Sequence, residues 1–85
     1  MPNKTVTVGS SVGLHARPAA IIAEAAAKAG GTVTLARDGG DPVDAGSALM
    51  IMTLGAGHGT PVTVTADDDD TVALIADLVA RDLDA

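Results

Sequence analysis

His15 and Arg17 stand two residues apart in the run Gly13-Leu14-His15-Ala16-Arg17-Pro18, and these residue types at this spacing suit chemistry on a phosphoryl group. Imidazole is a nucleophile, and an ordinary pKa of about 6.5 leaves much of it neutral near pH 7. A guanidinium presents a fork of donors that matches phosphate oxygens. Pro18 lacks an N–H and has a preset φ, so it belongs in the first turn of a helix and would disrupt a later one. His15 is then at or near the N-cap. The amides of Ala16 and Arg17 become unsatisfied donors at a helix end whose macrodipole favours an anion. Charge arriving on the ring would land among donors already in place. Either ring nitrogen could react. Singly, a helix-start histidine, a solvated arginine and a turn glycine are ordinary. A cation in a first turn is mildly unfavourable, however, and Arg17 makes sense there if something negative visits.

Placing that pair requires a strand, a loop and a helix. Residues 3–8 alternate polar and β-branched side chains, the period of a strand with one buried face, and a Gly/Ser-rich loop follows over 9–13. A helix is expected over 16–29, with Ile22, Ala25, Ala26 and Ala29 on one face and Gly30-Gly31 as its stop. The small residues of that face would let the helix lie close to a sheet. Residues 32–37 alternate again, Asp38-Gly39-Gly40 makes a tight turn, and 41–44 can return as an edge strand carrying Pro42. Ser47 can cap a helix running through about Leu54 and ended by Gly55. Residues 60–66 form a Val/Thr strand, and Asp67 to Asp70 lead into an amphipathic helix through Val72, Leu74, Ile75, Leu78, Val79 and Leu83. The order β-α-β-β-α-β-α implies an α+β fold, an antiparallel sheet with helices on one face.

Hydrophobic residues make up 47% of the 85-residue chain and aromatics none, so the core must come from Val, Ile, Leu, Met and Ala. A chain this short buries only about 60% of its unfolded surface, which points to moderate stability. With no cysteine there is no disulfide framework, and a cytoplasmic setting fits. Neither a leader pattern nor a membrane-length apolar run is present. Eleven acidic residues stand against five basic, a formal net charge of -6, with no aromatic platform for bases. That balance argues against nucleic-acid binding and for protein partners.

Competing sites are weak. Gly55-Ala56-Gly57-His58-Gly59 precedes a strand where phosphate loops precede a helix, and reads as a flexible turn with His58 exposed. The acid run lacks the spacing of a calcium loop, and His15 with His58 lacks further zinc ligands, so no metal and no cofactor is expected. No phosphate loop with a magnesium site and no Ser-His-Asp logic is present, so the chain is read as a carrier rather than an enzyme.

The six-residue motif, the length and the element order resemble the HPr family, the histidine-containing phosphocarriers of the bacterial phosphoenolpyruvate:sugar phosphotransferase system. The resemblance spans essentially residues 1–85, one HPr-like phosphocarrier domain. It implies an open-faced β-sandwich with sheet order 1-4-2-3 and three helices on one side. It implies a monomer that takes a phosphoryl group from enzyme I on the Nδ1 nitrogen of His15, as pros-phosphohistidine, and hands it to enzyme IIA during sugar uptake. Arg17 would help hold and release the group. Ser47 occupies the position that an HPr kinase phosphorylates in some members. Gly46-Ser47-Ala48-Leu49-Met50 departs from their pattern of a basic residue before the serine and Met-Gly after it, which favours a plain N-cap. Family partners dock around the histidine and the middle helix, implicating Ala48, Leu49 and Met52. Two alternatives stand beside this reading: a regulatory module acting through Ser47 and its docking surface, or a carrier in a nitrogen-related or dihydroxyacetone-kinase-linked relay.

Overall fold

Alternation of valine with threonine builds the sheet, and the computed structural model, which describes residues 2–83, shows what each face meets. The elements are β1 (Asn3–Thr7), α1 (Ala16–Ala29), β2 (Val33–Arg37), β3 (Val43–Asp44), α2 (Ala48–Thr53), β4 (Pro61–Ala66) and α3 (Asp69–Ala80). The four strands pair antiparallel in the order β1-β4-β2-β3. Val33 and Leu35 of β2 and Val62, Val64 and Ala66 of β4 are buried under the helices. Their neighbours Thr34, Thr63 and Thr65 take the opposite face, where Thr63 hydrogen-bonds Thr5 across the strands at 2.8 Å. One face is apolar and helix-covered, the other threonine-rich and open. The result is an open-faced β-sandwich.

Ile22 of α1, Ile51 of α2 and Ile75 and Val79 of α3 are fully buried and join Leu35, Val62 and Val64 in one aliphatic cluster. Each such side chain contributes roughly 1.5–3 kcal/mol on burial. The small face of α1, Ala19, Ala23 and Ala26, is buried, but α1 lies closest to α2 and α3 rather than to the sheet. Ala29 is exposed, because Gly30 turns left-handed (φ 79°) and ends the helix just where that face would reach solvent. Leu74 is likewise exposed: it sits one residue before Ile75, about 100° round the helix from the buried stripe. Leu83 lies beyond the end of α3 and packs against the core from there.

All four strands are shorter than expected, β1 losing residue 8 and β2 residue 32. The return strand is only Val43–Asp44, since Pro42 has no N–H for the ladder and sits outside it. β4 starts at Pro61 rather than Thr60, whose amide closes a turn onto the Gly57 carbonyl at 3.1 Å. Capping matches the sequence more closely. Ser47 Oγ accepts the Met50 amide at 3.3 Å, and the Asp68 carboxylate accepts the Thr71 amide at 3.0 Å and its hydroxyl at 2.7 Å. The Thr71 hydroxyl, then the Thr71 amide and more weakly the Asp70 amide, hold the Asp68 carboxyl below its ordinary range.

Candidate functional site

α1 begins at Ala16 with His15 as N-cap, in extended backbone (φ −77°, ψ −171°) and with no hydrogen bond from its side chain into the helix. The first helical bond runs from the Ala19 amide to the His15 carbonyl, at 2.9 Å. An N-cap side chain ordinarily accepts from the second or third helical amide. The third residue here is Pro18, which has none to offer. The amides of Ala16 and Arg17 therefore have no partner among the described residues, and both residues are exposed, as is His15. Two N–H donors at the positive end of a fourteen-residue helix make a seat for an anion.

Arg17 adds a cation to that seat. The ion pairs among the described residues are Glu24 with Lys28 and Asp77 with Arg81, so no carboxylate among them neutralises Arg17. The first turn of α1 contains no acid, and α2, alongside, contains no charged residue at all. Apart from Glu24, which pairs with Lys28 further along α1, the described acidic residues lie on the β2–β3 hairpin and on α3 and its flanks.

The loop before His15 is held by backbone. The Gly13 amide closes a turn onto the Ser10 carbonyl at 3.0 Å, and the Leu14 amide donates to the Ala56 carbonyl at 2.9 Å. Gly13 adopts φ +78°, and a Cβ there would come within 2.5 Å of the Ala56 oxygen and 2.8 Å of Gly57 Cα. Only glycine accommodates both the sign of φ and that approach. The α2–β4 loop thus supports the histidine. A shallow depression of about 240 Å³ lies beside the ring, lined by Val12, Leu14, His15, Met52, Gly55, Ala56 and Gly57.

The structure brings His15, Ala16 and Arg17 together at one helix start and Met52 to the same depression. Of the other docking candidates, Leu49 is 69% exposed, whereas Ala48 is half-buried and packs against the core. Sequence reasoning missed the exposed Val12 and Met50. It also gave the Gly55–Ala56–Gly57 stretch no supporting role. The signal for that role was present, two glycines around a small residue, which permits close backbone approach. His58 is exposed on the same loop but does not line the depression. No cluster of metal-ligating side chains is found among the described residues, and none of their helices is long and apolar enough to cross a membrane.

A helix start left open to an anion, on an open-faced α/β sandwich, defines a class of small proteins built around an exposed histidine rather than a closed catalytic cleft. Comparison gives the class its family. The family model described as PTS HPr component phosphorylation site matches residues 2–81. The phosphocarrier protein HPr of Streptomyces coelicolor is 40% identical over 87 residues, covering 99% of this chain and 94% of that protein. That of Haloferax volcanii is 44% identical over 73 residues, covering 85% and 82%. Among solved structures, the HPr of Bacillus anthracis superposes with a TM-score of 0.83 at 32% identity, covering 92% of this chain and 95% of that one. HPr-C-His from Thermoanaerobacter tengcongensis gives 0.82 at 33% identity, covering 93% and 91%. The chain belongs to the HPr family of phosphocarrier proteins.

Proposed function

We propose that this chain carries a phosphoryl group on His15, accepting it from enzyme I and passing it to enzyme IIA in sugar uptake. The observation that carries the reading is the open start of α1: beside an exposed imidazole, two amides and an Arg17 that have no partner among the described residues. In the forward step the lone pair of Nδ1 forms a bond to phosphorus as the donor's bond to phosphorus breaks, with the ring proton resting on Nε2. The phosphoryl oxygens then meet the Ala16 and Arg17 amides and the guanidinium, which stabilise the charge as it arrives. Neither the ring nor Arg17 must first give up a partner.

Val12 and Met52 line the depression beside His15, and Leu49 and Met50 are exposed on α2, which packs alongside α1; this exposed apolar surface supports docking of both partner proteins there. Affinity for each must stay modest for a shuttle to turn over. Ser47 acts as the cap of α2, its oxygen already engaged by the Met50 amide. Regulation by an HPr kinase is a separate question, answered by comparing kinase-dependent labelling of the parent and Ser47→Ala.

Intact-protein mass spectrometry after incubation with phosphoenolpyruvate and enzyme I tests the carrier reading. The expected result is a single acid-labile phosphoryl group on the parent and none on His15→Ala. Uptake by His15→Ala equal to the parent would sink it, and so would a parent that gains nothing.

A further inference from the structure

We infer that Arg37 is a positioning residue for phosphoryl transfer at His15, acting through the carboxyl end of α2; the inference rests on the carrier reading above. Period-two alternation places Arg37 on the same side of β2 as Val33 and Leu35, opposite Val62 of β4, but at the exposed end of the strand. From there its guanidinium reaches across to donate from Nη1 to the Leu54 carbonyl at 3.2 Å, a part-buried bond.

The recipient end of α2 needs it. The helix spans six residues and has no basic side chain in its last turn. Three of its carbonyls are taken by local donors: Ile51 by the Leu54 amide at 3.1 Å, Met52 by the Gly55 amide at 3.2 Å, Met50 by the Thr53 hydroxyl at 2.5 Å. Leu54 receives its bond from a different layer of the fold. A cation at a helix carboxyl end is favoured by the dipole, and a charge-assisted bond is about twice as strong as a neutral one.

Just past Leu54 lies the support of the histidine. Gly55 turns left-handed at φ +63°, with space for a Cβ ending 3.7 Å from Arg37 Nη1. Ala56 is next, buried, and its carbonyl holds the Leu14 amide at 2.9 Å. His15 is the residue after Leu14. Arg37 therefore fixes Leu54, which aims Gly55 and Ala56, which anchor the residue before the nucleophile. Small misplacements of a reacting group are costly to rate even when binding is intact.

Parent, Arg37→Met and Arg37→Lys proteins, with thermal melts to establish that each folds, would be phosphorylated by phosphoenolpyruvate and enzyme I over a range of carrier concentrations. Amide hydrogen exchange at Leu14 would be followed in the unphosphorylated proteins. For Arg37→Met, kcat should fall about tenfold with KM nearly constant, and the Leu14 amide should exchange faster. Arg37→Lys, which keeps the charge and a donor, should recover part of both. A rise in KM alone, with kcat and Leu14 exchange at parental values, overturns the inference and makes Arg37 a partner contact. Faster exchange with unchanged kcat, or no change in either, overturns it too. A parent that accepts no phosphoryl group removes the carrier reading and this inference together, a result distinct from all of these.

Discussion

α3 begins on Asp68, whose carboxylate takes both the amide and the hydroxyl of Thr71, with Asp69 and Asp70 in its first turn; α1 begins on His15, which caps nothing, with no acid in the first turn and Arg17 instead. The two helices are of similar length, fourteen and twelve residues, and face the same dipole problem. α3 solves it internally, with fixed negative charge. α1 leaves its positive end unanswered, and Pro18 removes the amide that an ordinary cap would use. The difference separates a helix start closed by its own side chains from one whose amides stay open among the described residues, as the proposed carrier role requires.

Removing the nucleophile breaks the comparison outright. His15→Ala should lose all phosphoryl acceptance, read by intact mass, while its circular dichroism spectrum and melt stay close to the parent because an exposed residue that caps nothing is lost. Arg17→Ala leaves the amides and removes the cation; transfer from enzyme I, followed by rapid quench, should slow roughly tenfold without stopping. Equal rates for variant and parent would refute the clamp role of Arg17.

Supplying α1 with the kind of cap that α3 has sharpens the contrast from the other side. His15→Asp puts a carboxylate beside two free amides and should raise stability by roughly 0.5 kcal/mol in urea denaturation, modest because Pro18 offers no third amide. A lower urea midpoint would mean that the α1 start is already satisfied. The smallest effect belongs to α3. The Asp68 carboxyl is held below its ordinary range, so its charge contributes stability that is complete above about pH 4 and disappears as pH falls through the lowered folded value. The melting-temperature deficit of Asp68→Asn should accordingly be present at pH 7 and vanish in strong acid, with phosphoryl transfer unaffected throughout.

Much of this was legible in the residues. Pro18 and Gly30 bracket α1 so firmly that its expected span of 16–29 is the observed one. The valine-threonine alternation placed β4 within one residue. The strand order itself came from resemblance to the HPr family, since periodicity assigns strands to faces and not to neighbours. The features that stayed hidden depend on contacts between distant segments. Leu74 fits the apolar composition of α3 but not its buried stripe, and Ala48 looked like surface until the core was seen to reach it. The glycines around Ala56 signalled a close backbone approach but not that Leu14 makes it, and the Arg37 bond to Leu54 had no signal, because both are made across the fold between segments with no local pattern in common.

The position of β4 in the sheet has a consequence for how the molecule comes into being. It is the last strand in sequence, yet it lies between β1 and β2, so Asn3 finds its partner only at Thr65. A nascent chain stopped before β4 holds a strand with no neighbour and a histidine loop whose anchoring carbonyl precedes an unpaired segment. Closing so long a loop carries an entropic penalty before any pairing compensates it, which slows folding relative to a chain of local hairpins. On the carrier reading, the geometry around His15 is therefore expected late in folding, because β1, which leads into its loop, pairs only with the final strand.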